Sequence, residues 1–163
     1  MYRPAAQQNV MPRTKRPRSV SGRVVTENRS AGAIARFVRS GLIKYNRAKG
    51  GSFGYSRLVL SARDGSRSVV GGLVCELFWN AMYIEMLWIA DSARGRGHGR
   101  RLMRQAERRA RQHGSQLIYL STYSFQAPEF YEKLGYRRFG EVENHPPGAS
   151  RIFYVKRLSP TSA

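Results

Sequence analysis

The stretch YIEMLWIADSARGRGHGRRLM, residues 83–103, joins an apolar run to a basic run through three glycines at alternate positions. The apolar run, residues 82–90, predicts a strand, and residues 100–113 predict a helix with one apolar stripe. Glycine loses the most backbone freedom on folding, so three close together indicate a backbone shape or a close approach that side chains would block. The first turn of a helix presents free N–H groups and a positive dipole end. The stretch therefore predicts an anion site of the kind that binds phosphate.

Two common phosphate-binding motifs do not fit this loop. A Rossmann fingerprint needs G-x-G-x-x-G, but Gly95 and Gly97 leave Arg100 where the third glycine belongs. A P-loop needs glycine and lysine followed by serine or threonine, and the loop has no lysine. From the loop alone, the alternative is a flexible turn in a basic protein.

The composition fits one compact globular domain, because 163 residues with 41% hydrophobic residues can bury a core. No apolar run approaches the roughly 20 residues that span a bilayer, and the N-terminus lacks the apolar segment of a secretory signal. One cysteine, Cys75, excludes an internal disulfide, and with three scattered histidines it predicts no metal site. We therefore expect a cytoplasmic protein without a membrane anchor.

The net charge of +19 indicates either a polyanionic partner or a generally arginine-rich composition, with 24 arginines and 5 lysines. The charge is spread along the chain, which makes the second explanation as good as the first. Residues 1–20 hold three prolines and a basic cluster, and they predict a flexible tail. A nucleic-acid-associated protein that binds through this tail is thus one alternative function, although the sequence shows no recognition motif for it.

Apolar periodicity and turn residues predict the element order β-α-β-β-β-α-β-α-β-β. This order is typical of an α/β fold with a mixed, largely antiparallel sheet. We expect one domain over residues 21–158, between tails of residues 1–20 and 159–163. The elements are a strand at 22–27, a helix at 30–46, a hairpin at 55–79, a strand at 82–90, a helix at 100–113, a strand at 116–124, a short helix within 127–136, and strands at 136–142 and 151–158.

The flanks of the glycine loop resemble one family. Residues 94–99, R-G-R-G-H-G, resemble the R/Q-x-x-G-x-G/A signature of the GNAT superfamily of N-acetyltransferases. Residues 83–103 resemble that family's fourth strand, loop and third helix, and LIYLSTYSFQAPEFYEKLGY, residues 117–136, resembles its fifth strand and following helix. The resemblance covers about residues 22–157 and implies the GNAT fold. The chain departs from the family in having one helix between the first two strands, where two are usual, and in its basic tail.

The resemblance implies that acetyl-CoA is the acetyl donor, and the cysteine and histidine content already predicts no metal. In that family the loop binds the diphosphate through backbone amides, and the pantetheine arm lies beside the preceding strand. The sequence alone leaves Ser124 either a cofactor ligand or a helix cap. The expected cofactor-binding residues are Leu87, Trp88, Ile89, Arg94, Gly95, Arg96, Gly97, His98, Gly99, Arg100 and Ser124.

Two residues are candidates for the chemistry of acetyl transfer. Tyr131 matches the tyrosine that these enzymes often hold close to the sulfur, and it is the candidate acid; its alternative is core packing. Glu85 lies in the strand where many family members place a carboxylate, and it is the candidate base. Its alternative is a salt bridge with one of the many arginines. Tyr136 is expected to be structural.

The acceptor is less well defined than the donor. Trp79 and Trp88 either line the acceptor site or pack at an edge, and the acceptor-facing loops hold few carboxylates, with Glu143 in one and Glu141 just before it. We expect a primary amine of a small molecule as acceptor, with a protein lysine or N-terminal amine as the alternative. A non-catalytic acyl-CoA-binding module is a further alternative. The resemblance also allows a homodimer, for which the sequence shows no interface.

Overall fold

The computed structural model describes residues 22–159, and the predicted tail of residues 1–20 and most of the tail of residues 159–163 lie outside them. No helix within the described range is long and apolar enough to cross a membrane. The elements are α1 (Ala31–Gly50), β1 (Ser56–Arg63), β2 (Val69–Phe78), β3 (Ala81–Ile89), a 3-10 turn (Asp91–Ala93), α2 (His98–Gln112), β4 (Leu117–Tyr123), α3 (Pro128–Glu132), β5 (Arg137–Val142) and β6 (Arg151–Arg157).

The chain divides into two units between Ser40 and Gly41, inside α1. The strand predicted for residues 22–27 does not form, so that prediction is wrong. Val24 is 99% exposed. Two neighbouring valines favour extended backbone, but a strand also needs a partner strand and a buried face. Among the residues that the structure describes, this segment has neither. The predicted helix forms and extends to Gly50, and none of its residues is buried.

All six strands belong to one sheet in the second unit, with the order β1-β2-β3-β4-β6-β5. Strands β3 and β4 run parallel, and the other neighbours are antiparallel. The fold class expected from the sequence, a mixed and largely antiparallel sheet with helices, is therefore confirmed. The predicted apolar stripe of α2 packs on one face of this sheet and forms the core with the inward residues of the strands. The stripe consists of Leu102, Met103, Ala106 and Ala110.

Strands β3 and β4 pair over only part of their lengths. The pairing runs from Ala81 opposite Leu117 to Ile84 opposite Leu120, although β3 continues to Ile89. We call the gap beyond Ile84 the fork. It leaves the edge of β3 that faces β4 without a partner strand, within the described part of the chain, over residues 85–89. This is the edge to which an extended ligand would add.

A β-bulge in β3 lies at the point where the fork opens. Cys75 pairs with Ile84 and Val74 pairs with Met86, so Glu85 is the extra residue. The bulge reverses the alternation of side chains, and Leu87 packs against the core. Glu85 and Leu87 therefore lie on opposite faces of the sheet, although strict alternation without a bulge would place them on one face.

Candidate active site

The three glycines of the loop meet two different requirements. Gly95 and Gly97 have positive φ angles of 74° and 79°, a conformation that residues with a side chain rarely adopt. Gly97 is also the residue that begins α2 as its N-cap. At Gly99 a Cβ atom would lie 3.3 Å from the ring of Phe130, so glycine permits the close approach of α2 to α3. The glycines therefore set both the shape of the loop and the position of α3.

The backbone N–H groups of the glycine loop and the first residues of α2 are available to a ligand. Arg101 donates its N–H to the carbonyl of Gly97, which is the first hydrogen bond of α2. Within the described part of the chain, none of the N–H groups of residues 95–100 donates to another residue. Consecutive free amides at a helix N-terminus converge on one position and attract an anion there.

Two arginine side chains make contacts that stabilise the loop. Arg94 donates from Nε to the carbonyl of Ile89 at 3.1 Å and pairs with Asp91 at 2.8 Å. Arg101 donates from Nη2 to the carbonyl of Arg96 at 3.2 Å. These contacts occupy the carbonyl oxygens of Ile89 and Arg96 and tie the loop to the end of β3 and to the first turn of α2.

A cavity of about 810 Å³ joins the fork to the glycine loop. This volume lies in the range of small-molecule and cofactor sites. Its wall contains every residue that the sequence predicted for cofactor binding except Arg96 and Ser124. The lining consists of residues 87–89 of β3, residues 93–95 and 97–100 of the loop and α2, residue 122 of β4, residues 125–127 after β4, and residues 130–131 of α3.

Ser124 lies beside the cavity rather than in its wall. Its hydroxyl accepts the N–H of Ser150 at 3.0 Å, and its own N–H donates to the carbonyl of Ser150 at 2.8 Å. The N-cap of α3 is Ala127, so the alternative prediction that Ser124 caps this helix is wrong. Ser124 instead joins the end of β4 to the loop before β6.

Thr122 and Gln126 also take part in this wall. Gln126 precedes the last helix, as Ser124 does, where the family resemblance implies a polar contact to the cofactor, whereas Thr122 was not among the predicted site residues. The Thr122 hydroxyl is buried and donates to Oε1 of Gln126 at 2.8 Å. The same oxygen accepts the N–H of Tyr123 at 2.9 Å. Strict alternation along β4 places Thr122 on the same face as Ile118 and Leu120, and this is the signal that could have identified it.

Tyr131 forms part of both the core and the cavity wall. Its ring is buried and meets that of Phe130 edge to face, with the centroids 5.1 Å apart. Burial raises the pKa of Tyr131 to about 12, so the phenol stays protonated at neutral pH. The core packing that was the alternative to an acid role for Tyr131 is therefore present. Tyr131 also lines the cavity, and its acid role stays a prediction.

Glu85 lies outside the lining of the cavity, at the closed end of the fork. Its carboxylate pairs with Nη2 of Arg57 at 3.0 Å. Arg57 neighbours Leu58 in β1, and Leu58 packs on the core, so this ion pair lies on the sheet face opposite α2. The salt bridge that the sequence analysis gave as the alternative to a base role for Glu85 is therefore present. The base role itself stays a prediction.

Residues 36–136 match the model of the acetyltransferase (GNAT) family, which covers more than half of the chain. The chain belongs to the GNAT family. This GNAT acetyltransferase is 40% identical over 94 residues to a blasticidin-S acetyltransferase from Streptomyces morookaense, an alignment that covers 55% of this chain and 67% of the relative. The relative therefore acts on a small molecule.

Solved structures agree with this assignment. An acetyltransferase from Bacillus cereus is 32% identical, superposes with a TM-score of 0.76 and covers 84% of this chain and 98% of its own. An aminoglycoside 6'-N-acetyltransferase complexed with coenzyme A superposes with a TM-score of 0.59 at 18% identity, over 86% of this chain and 100% of its own. At that identity the second structure shows the fold alone.

Proposed function

We propose that this GNAT acetyltransferase transfers the acetyl group of acetyl-CoA to a primary amine of a small molecule. The observation that carries the proposal is the row of free N–H groups at residues 95–100, which faces a cavity of about 810 Å³. A diphosphate is the anion that such a row of amides and a helix N-terminus bind well. The blasticidin-S acetyltransferase, to which this chain is 40% identical over 94 residues, supports the same function.

The cofactor lies along the fork in this proposal. The diphosphate binds at residues 95–100, and the pantetheine arm runs from there along the unpaired edge of β3 at residues 87–89. Its amide groups replace the hydrogen bonds that β4 would have made. Because the fork closes at Ile84, the sulfur of the thioester lies near that closed end. Arg100 adds positive charge beside the diphosphate.

The chemistry needs a neutral amine, a stabilised oxyanion and a protonated leaving group. The free amine has a pKa of roughly 8 to 10, so a base removes its proton near neutral pH. Glu85 takes this proton, directly or through water. The nitrogen then attacks the thioester carbonyl, and a backbone N–H of residues 87–89 binds the oxyanion. As the C–N bond forms and the C–S bond breaks, Tyr131 donates its phenolic proton to the sulfur. The attacking nitrogen, which now carries a positive charge, releases its extra proton to solvent, and Tyr131 regains a proton from solvent.

An amine panel with free-thiol release as the readout tests this function. The panel contains blasticidin S, aliphatic amines, amino acids and a lysine-containing peptide, each with acetyl-CoA and the full-length protein. We expect thiol release with at least one small amine and an acetylated product of matching mass. Release with the peptide alone would contradict the small-molecule acceptor. A protein that binds acetyl-CoA but acetylates no member of the panel would favour a non-catalytic acyl-CoA-binding module.

A further inference from the structure

A row of polar and aromatic side chains crosses the sheet on the face opposite α2. Glu76 of β2 lies opposite Tyr83 of β3, and Tyr83 lies opposite Tyr119 of β4. The chain neighbours of all three residues are buried in the core with α2, so alternation directs these three to the other face. We call Glu76, Tyr83 and Tyr119 the Glu76 row.

The rings in and beside the Glu76 row form an aromatic surface. The Tyr83 and Tyr119 centroids are 5.0 Å apart, and Phe78 meets Tyr119 edge to face at 6.4 Å. Phe53 stacks on Phe78 at 5.5 Å. All four rings are only half-buried, so each keeps surface that a ligand can contact. Faces of aromatic rings attract cations and stack on planar groups.

Glu76 supplies the negative charge of this surface. Its carboxylate accepts the hydroxyl of Tyr55 at 2.9 Å, and within residues 22–159 it forms no ion pair. The nearby Arg57 pairs with Glu85 instead. Burial raises the pKa of Tyr119, and the Tyr83 phenol and the Glu76 carboxylate raise it further, so the charge of Glu76 acts across the row. In a chain of net charge +19, a half-buried carboxylate among four rings is available to a cationic ligand.

The Glu76 row also lies at the right place for an acceptor. Tyr83 and Tyr119 immediately precede Ile84 and Leu120, the last pair before the fork opens. One residue of a strand spans about 3.3 Å. A molecule bound on the row is therefore within a few ångströms of the closed end of the fork, where the proposed function places the thioester.

From these observations we infer that the Glu76 row binds the acceptor through a positively charged group distinct from the amine that is acetylated. The substrate class is then a small amine with a second cationic group, such as a guanidinium. This inference rests on the proposed function. The strands supply two carboxylates near this place, Glu76 and Glu85, whereas the acceptor-facing loops hold few.

Two probe amines test the inference. Agmatine and hexylamine are primary amines of similar length, and agmatine carries a guanidinium where hexylamine carries none. The full-length protein is assayed with saturating acetyl-CoA, and binding of each amine to the coenzyme A-bound protein is measured by calorimetry. We expect kcat/KM for agmatine to exceed that for hexylamine at least about tenfold, since a charge-assisted hydrogen bond contributes that much.

The variant Glu76→Gln keeps the shape of the side chain and removes its charge. It should raise KM for agmatine about tenfold and leave kcat and all hexylamine constants unchanged. Tyr119→Leu, which removes one ring face, should also lower the preference for agmatine. The matched control is Glu141→Gln on β5, where the carboxylate of Glu141 pairs with Arg138. This variant should leave the kinetic constants for both amines unchanged.

The outcomes separate the two proposals. Equal kcat/KM for the two amines, or a preference that survives Glu76→Gln, overturns the cation subsite and leaves acetyl transfer intact. Absence of calorimetric binding for agmatine overturns the subsite as well. If neither amine is acetylated while agmatine binds and Glu76→Gln weakens that binding, the subsite stands and the proposed transfer fails.

Discussion

Glu85 and Arg57 form an ion pair of 3.0 Å across the intervening strand β2, at the residue where β3 bulges and the fork opens. The pair is half-exposed, so its own contribution to stability is small, about 0 to 1 kcal/mol. The ion pair matters because of its position, since it holds the carboxylate of Glu85 at the closed end of the fork. A base role and a structural role for Glu85 therefore make different predictions.

Two variants separate these roles. Glu85→Gln should lower kcat about a hundredfold, because it removes the group that accepts the amine proton. Arg57→Gln breaks the same ion pair but keeps the carboxylate, and it should change kcat only a few-fold. Steady-state kinetics at saturating acetyl-CoA measure both. Equal losses in the two variants would show that Glu85 has a structural role only.

Gly97 allows a test of the loop with a matched control. Gly97→Ala and Gly114→Ala both place a side chain at a positive φ, 79° and 81°, with open space around the new Cβ. Each substitution should destabilise the fold by about 1 kcal/mol. Only Gly97→Ala should weaken acetyl-CoA binding, by about tenfold or more, because Gly114 ends α2 far along the chain from the loop. Calorimetry measures the affinity, and unchanged affinity in Gly97→Ala would contradict the assignment of the loop.

Tyr131→Phe should slow turnover and leave cofactor binding intact. The variant removes one hydroxyl from a buried ring and keeps its packing against Phe130. We expect kcat to fall about tenfold to a hundredfold, since the leaving sulfur loses its proton donor. Calorimetry with acetyl-CoA is the control. A variant with wild-type kcat would leave Tyr131 a packing residue.

The raised pKa of Tyr131 predicts the form of the pH profile. An acid must be protonated to act, and a phenol with a pKa of about 12 stays protonated to higher pH than an exposed one. Activity should therefore not fall as the pH rises from about 9 to about 11, whereas an acid of ordinary pKa would give a fall near 10. A fall centred near 10 that disappears in Tyr131→Phe would contradict this prediction.

The local features of this chain could be predicted from the sequence, and the long-range ones could not. The glycine pattern predicted the turn before α2, and apolar spacing predicted the buried stripe of that helix, because both depend on neighbouring residues. The bulge at Glu85 depends on how β3 pairs with β2, which no local pattern reveals. Strict alternation alone would place Glu85 and Leu87 on one face, and the bulge separates them.

The Glu76 row contains one strand pairing that could be predicted from the sequence and one that could not. The short turn at Trp79 and Asn80 fixes the register of the β2–β3 hairpin, so Glu76 opposite Tyr83 could have been deduced from the sequence. Tyr119 could not, because its parallel pairing with Tyr83 joins residues separated by α2. The strand predicted for residues 22–27 failed for a related reason, since extended propensity does not supply a partner strand.

A structure of the protein with acetyl-CoA bound would show whether the glycine loop holds the diphosphate. We expect diphosphate oxygens about 3 Å from the backbone nitrogens of residues 95–100, with the pantetheine arm against residues 87–89 of β3. A complex in which the diphosphate lies elsewhere, and these amides face only solvent, would contradict the proposed cofactor site.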